Sequence, residues 1–273
     1  MTSKAKGDHR YDRQLELFGR EGQAKLEAAR VAVLGLGGLG SHVCQQLAYL
    51  GVREFVLADH DDVEVTNLNR LIGATPADVD TSKIDVAVRT IMAVQPDAAI
   101  QPIDTKLPDR RIDSALDGCD LIMGCFDNDY PRLLATGLAS ERGIVYIDTA
   151  SGIEVEPLFY GGHVLVAGDA PGCLHCFREL DQNEIRRAQL TEEQLEVEAK
   201  IYGIPVERLR GTGPSVVTLN GVVASIATTE AMAWLTGLRA PHKLQKYYAN
   251  YGTVRQSGDA PIPDCFYCAQ WVR

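Results

Sequence analysis

The stretch Val31-Ala-Val-Leu-Gly-Leu-Gly-Gly-Leu-Gly40 decides the fold. Its first residues form a short, uninterrupted apolar run, which is how a parallel strand buried on both faces reads in a sequence. Gly35, Gly37 and Gly40 then satisfy the G-x-G-x-x-G spacing. Glycines at those positions let the backbone turn tightly and approach a phosphate at the N-terminus of the next helix, expected over roughly 38–50. Glu54–Ala58 reads as a second strand, and Asp59 follows Gly40 by 19 residues. A carboxylate at that strand end can accept hydrogen bonds from ribose hydroxyls. Taken alone, this arrangement fits an NAD-binding redox protein as well as any other nucleotide binder.

Outward from this core, apolar runs and amphipathic stretches alternate. Helices are expected over 11–29, 82–94, 110–117 and 130–142, and strands over 98–103, 120–124 and 144–148. The rhythm predicts an α/β fold, a Rossmann-like, doubly wound, mainly parallel sheet. After Asp148 the pattern changes. β-favouring segments over 151–168 precede a charged stretch, 178–210, in which Thr191–Gln194 forms a candidate capping box. A long apolar helix over 214–237 and two strands near 244–256 complete the chain, the C-terminal part extending the sheet with antiparallel strands. The expected organisation is a disordered tail, 1–9, and one domain, 10–273. Its nucleotide-binding half is 10–150, and its substrate half, 151–273, carries a crossover lid at about 178–212.

The formal net charge of −10 argues against nucleic acid as a partner, because phosphate neutralisation needs clustered Lys and Arg. No run of 18 uncharged apolar residues is present to cross a membrane, and the first ten residues hold no apolar signal core, so a cytoplasmic location is expected. In that setting seven cysteines point to metal or catalysis before disulfides. Cys173-Leu-His-Cys176 and Cys265-Phe-Tyr-Cys268 are C-x-x-C pairs with 88 residues between them. Together they can bind a structural zinc ion through four thiolates, leaving no open position for a substrate. The alternative is two redox motifs, for which no thioredoxin-like context exists. His175 reads as a bystander, and Cys44, Cys119 and Cys125 as buried packing residues.

The segment after Asp59 separates the chain from a dehydrogenase. Asp59-His-Asp-Asp-Val-Glu-Val-Thr-Asn-Leu-Asn-Arg70 places polar side chains beyond a strand end. Lys83 opens the next helix, and Asp127 and Asn128 come just after the strand at 120–124, at the sheet edge where ligands of open α/β folds collect. Arg70, Lys83 and Asp127 suit a triphosphate with Mg2+, the cations facing phosphates and the carboxylate facing the metal.

These motifs, with Arg10-Tyr-Asp-Arg-Gln14 and Gly-Gly-Leu-Gly-Ser41, resemble the ThiF/MoeB/HesA family, the prokaryotic relatives of ubiquitin-activating enzymes. The resemblance implies an ATP-dependent adenylyltransferase that activates the C-terminal Gly carboxylate of a small ubiquitin-like protein ending in Gly-Gly. It implies that Gly37, Gly38 and the adjoining backbone, with Gly35 and Gly40 shaping the turn, cradle the phosphates and that Asp59 holds the ribose. Asn67, Arg70 and Lys83 would contact the triphosphate, with Asn128 beside them, and Asp127 would bind Mg2+. Arg13 would reach the partner subunit's site in a homodimer. The reaction needs no protein nucleophile or base, since a carboxylate is already ionised at neutral pH. Family members that form a thioester carry a cysteine in or near the lid, and none lies between Cys176 and Cys265. A separate acceptor is therefore expected, either in sulfur transfer or as the conjugating enzyme of a bacterial modifier pathway. A peptide substrate, a transfer-RNA base and an inactive nucleotide-binding scaffold are the other readings.

Overall fold

In β1 (Arg30–Leu34) the alternation of side chains divides the interior in two. Val31 and Val33 point into one apolar cluster, and Ala32 and Leu34 into another on the opposite face of the sheet. Such a strand must be covered on both sides, which is why helices flank it. A computed structural model describes residues 9–203 and 213–268. One eight-stranded sheet runs through it in the order β3-β2-β1-β4-β5-β6-β7-β8. The first five in that order are β3 (Ala99–Asp104), β2 (Glu54–Asp59), β1, β4 (Leu121–Gly124) and β5 (Val145–Val155), all parallel. β6 (Leu158–Ala167), β7 (Leu244–Tyr248) and β8 (Thr253–Gln256) extend it antiparallel.

α2 (Gly38–Leu50), α3 (Lys83–Val94) and α8 (Val217–Thr236) contribute to the first cluster, and α4 (Arg110–Ala115) and α5 (Asp129–Arg142) to the second. The strand order reverses at β1, with β2 on one side and β4 on the other. A crevice therefore opens at the carboxyl ends of these strands. The expected mainly parallel sheet with an antiparallel extension is the observed architecture.

The details depart from expectation at Gly19 and in β5 and agree with it at the capping box. α1 (Asp12–Ala28) is interrupted at Gly19, where φ is 69° and ψ 179°, a conformation that side-chain-bearing residues adopt at a cost. β5 does not stop at Asp148 but continues to Val155, because the Gly-rich segment after it pairs with β6. The charged stretch contains α6 (Gln182–Arg187) and α7 (Glu192–Tyr202), and the Thr191–Gln194 capping box is present with both of its bonds. Glu198 accepts from Arg186 at 2.7 Å and Arg187 at 2.9 Å, tying α7 back to α6. Residues 204–212 of the expected lid and 1–8 of the expected tail lie outside the described residues; His9 belongs to a short 3-10 turn. No described helix is long and apolar enough to cross a membrane.

Candidate active site

The glycine loop is held from below. Gly35 has φ of +88° and donates to Ala58 O at 2.9 Å, while Leu36 N donates to Asp59 Oδ2 at 2.5 Å. The other oxygen of Asp59 accepts from His60 N and Asp61 N at 2.8 and 2.9 Å. The carboxylate that closes β2 thus braces the loop after β1. At Gly37 a Cβ would meet nothing within 4 Å, so the missing side chain leaves bare backbone toward the crevice. At Gly40 a Cβ would collide with Gly35 O, so this glycine serves the packing of α2 against the turn.

Beyond the loop is a cavity of about 970 Å³. Gly35, Gly37 and Gly38 line it, together with Asp59, Asn67 and Arg70, and so do Lys83, Asp127 and Asn128. Gly40 lies beneath its wall, and Arg13 is exposed on α1, away from the lining. Ser82 caps α3 by accepting from Ile84 N, which sets Lys83 at the first helical position. Lys83 Nζ then pairs with Asp61 Oδ2 at 2.7 Å. Arg70 donates to Thr66 O at 2.6 Å, and Asn67 Oδ1 accepts from Glu64 N at 3.2 Å. Asp127 is exposed, and its Oδ1 accepts from Asn128 Nδ2 at 3.3 Å, a long bond that leaves carboxylate lone pairs to ligate a hard cation such as Mg2+. The Oδ1 of Asn128 is buried with no partner, a polar atom left for a ligand to satisfy.

The far side of the cavity holds residues that carry no motif. Arg132, 5% exposed on α5, binds fully buried Asp148 through Nε at 3.1 Å and Nη2 at 2.5 Å. It also pairs with Asp129 and lies 2.7 Å from His163 Nε2. His163 Nδ1 is 3.3 Å from Glu179, which pairs with Lys246 at 2.6 Å. Burial alone would raise the Asp148 pKa, but Arg132 and His163 hold it below the usual carboxylate range. Asp129 accepts from Asp181 N at 2.5 Å and donates its own N–H to Glu184 at 3.2 Å, so the start of α6 is fastened to the loop that carries Asp127. Burial, then the neighbouring Asp129 charge, raises the Glu184 pKa. Cys125, beneath the glycine turn, has its thiol pushed up to about 12 by burial, which makes it a poor nucleophile.

The four cysteines of the C-x-x-C pairs converge and are all buried. Sγ separations are 3.9 Å for Cys173–Cys176 and Cys173–Cys265 and 3.5 Å for Cys176–Cys268. A tetrahedral zinc ion with Zn–S bonds of about 2.3 Å needs its sulfurs roughly 3.8 Å apart, so this donor set fits zinc. No disulfide joins them.

Known proteins resemble this chain in sequence and in fold. The ThiF family profile matches residues 11–264. The sulfur carrier protein ThiS adenylyltransferase of Escherichia coli is 29% identical over 236 residues, covering 85% of this chain and 83% of that one. The SAMP-activating enzyme E1 of Haloferax volcanii is 33% identical over 52% of this chain and 53% of its own length. The molybdopterin-synthase adenylyltransferase of Salmonella typhimurium is 40% identical over 44% and 49%. The match therefore spans about half the length of these last two relatives. Among solved structures, E. coli MccB with ATP has a TM-score of 0.73 at 21% identity, covering 96% of this chain and 75% of that one. MccB with AMPCPP and MccA gives 0.75 at 19%, covering 97% and 75%. At these identities the structures establish the fold alone.

Proposed function

The chain belongs to the ThiF family, and from that membership we propose that it is an ATP-dependent adenylyltransferase acting on the C-terminal Gly carboxylate of a small ubiquitin-like protein. The observation that carries the reading is the single cavity that brings bare glycine backbone, Arg70, Lys83 and Asp127 to one sheet edge. An oxidoreductase has no use for that set. The named relatives are a sulfur carrier protein adenylyltransferase, a molybdopterin-synthase adenylyltransferase and a SAMP-activating enzyme, which supports the reaction class.

In this reading a carboxylate oxygen of the substrate attacks the α-phosphorus of ATP, and the bond to the departing pyrophosphate breaks. The backbone at Gly37 and Gly38 offers N–H groups to the phosphates at the start of α2, where the helix dipole favours anions. Lys83 leaves Asp61 for the triphosphate, and Arg70 supplies the second cation; both offset charge that grows on the leaving group. Asp59 orients the ribose while bracing the loop. Asp127 would hold Mg2+, which would supply positive charge against the phosphates. The substrate tail lies along the half of the cavity between the glycine loop and Lys246, where Gly152 on β5, paired with Gly161 on β6, has open space at its Cβ position. Cys173, Cys176, Cys265 and Cys268 would hold zinc, which would staple the end of the described chain to the segment after β6. Arg13 acts in trans in a homodimer, and the acyl group passes to a separate protein.

The test uses ATP labelled on the α-phosphate, Mg2+ and a purified ubiquitin-like protein ending in Gly-Gly. Label should become bound to that protein, survive rapid acid quenching, and vanish when the last glycine is removed. Label that ignores the tail, or binds only as free ATP, contradicts the reading.

A further inference from the structure

Asn220 lies in the first turn of α8, on the cavity wall, and is 1% exposed. Its Oδ1 accepts from Ser151 Oγ at 2.7 Å and its Nδ2 donates to Ser215 Oγ at 3.1 Å. Ser151 belongs to the substrate side of the sheet and Ser215 to the segment leading into α8. The amide also abuts the glycine loop. A Cβ built on Gly38 would collide with Asn220 Nδ2 and come to 3.5 Å from Arg70 Cδ. The Asn220 amide, the Gly38 backbone and the stem of Arg70 therefore converge on one point, between the nucleotide half of the cavity and its substrate half.

Its helix neighbours Leu219, Val223 and Ala224 are buried and apolar, and a buried amide carries a desolvation penalty that its bonds to Ser151 and Ser215 offset only in part. Nδ2 has two hydrogens, and Ser215 takes one of them. The other is held beside the backbone that the proposed function assigns to phosphate.

We propose that Asn220 is a further catalytic residue, whose Nδ2–H donates to a non-bridging oxygen of the phosphoryl group under attack. This rests on the adenylation reading. As the carboxylate oxygen bonds to the α-phosphorus and pyrophosphate leaves, charge on that oxygen is met by a neutral donor already fixed by two hydroxyls. The amide gives up no proton and stays neutral. A donor fixed in advance needs no reorganisation at the moment of reaction, which is the condition for a large electrostatic contribution.

The test compares wild type, Asn220→Asp and Asn220→Ala in ATP–pyrophosphate exchange, with ATP affinity measured by calorimetry on the same samples. Aspartate has nearly the shape of asparagine. Ser151 can still donate to it, and Ser215 can turn its hydroxyl to donate, so the scaffold survives while the N–H donor is lost. Both variants are expected to lose about 10²- to 10³-fold in kcat. The ATP dissociation constant of Asn220→Ala should stay within roughly tenfold of wild type, about 1.4 kcal/mol, while Asn220→Asp, whose carboxylate faces the phosphates, should also bind ATP more weakly. The wild type should also discriminate between the two α-thio diastereomers of ATP, and Asn220→Ala should reduce that discrimination. Exchange at near wild-type kcat in both variants, a loss in Asn220→Ala that merely tracks its ATP affinity, or unchanged diastereomer discrimination overturns the assignment. A wild-type protein that binds ATP but never exchanges it fails the adenylation reading instead, so the two failures are distinguishable.

Discussion

The carboxylate of Asp59 accepts the backbone N–H of Leu36 at 2.5 Å, so the residue proposed to bind the ribose also clamps the glycine loop. Asp59→Asn keeps the shape but turns an amide NH2 toward backbone N–H donors. Losing a hydrogen bond to a charged acceptor costs about 1.5–3 kcal/mol. The variant should therefore lose both stability in urea and ATP affinity in calorimetry. A variant that binds ATP weakly yet unfolds like wild type would leave Asp59 only its ribose contact and remove the clamp.

Arg132 is enclosed by carboxylates, and Asp148 has no exposure to share its charge with water. Arg132→Met leaves that carboxylate buried without its guanidinium, which should cost about 3–5 kcal/mol in urea unfolding at pH 7. The pH dependence has a definite sign. In wild type the Asp148 pKa is depressed in the folded state, so its contribution is complete above the unfolded value and is lost only as pH falls through the lower folded one. In the variant, burial opposed only by His163 moves the Asp148 pKa up from its wild-type position, so protonation relieves the penalty at higher pH than in wild type. The gap between variant and wild type should shrink as pH falls from 7 towards 4.5. A gap that is constant or grows over that range would show that the cost does not arise from Asp148.

Much of the molecule is legible in its sequence, and the limits have physical causes. Glycine spacing and the apolar run at Val31 announce β1, the turn and α2 because each depends on neighbouring residues. The C-x-x-C pairs announce themselves because a metal restricts ligand spacing. Arg132 has partners at 129, 148 and 163, and no local pattern encodes a contact made through a folded sheet. Asn220 reads in sequence as a polar interruption of an apolar helix, and only the approach of Gly38 gives it a place. Ser151-Gly152 looks like a break that ends strand β5 at 148, yet it pairs across with Gly161 and Gly162.

The thiolate cluster should hold one zinc ion per chain, measurable by elemental analysis after exhaustive dialysis. Stripping it with a strong chelator should lower the melting temperature by more than about 5 °C, since the ion ties together segments far apart in sequence. Cys268→Ser should reproduce most of that loss. Full stability without metal, or a metal content near zero in protein purified without chelator, would contradict the staple.

Arg13 is exposed and away from the cavity of its own chain. If it completes a partner's site, Arg13→Ala and Asp127→Ala should each be inactive alone and complement when mixed under subunit exchange. Random pairing then restores about a quarter of wild-type activity, because half the dimers are mixed and each has one intact site. No recovery despite demonstrated exchange would place Arg13 outside the site.

If this cavity adenylates a protein's terminal carboxylate, ATP–pyrophosphate exchange is its most direct signature. Purified protein, Mg2+ and a ubiquitin-like protein ending in Gly-Gly should exchange label from pyrophosphate into ATP. Exchange should disappear when the terminal glycine is removed or Asp127 is changed to Ala. Exchange that persists without the tail or without Asp127, or its absence with several such tails while ATP still binds, would contradict adenylation at this site.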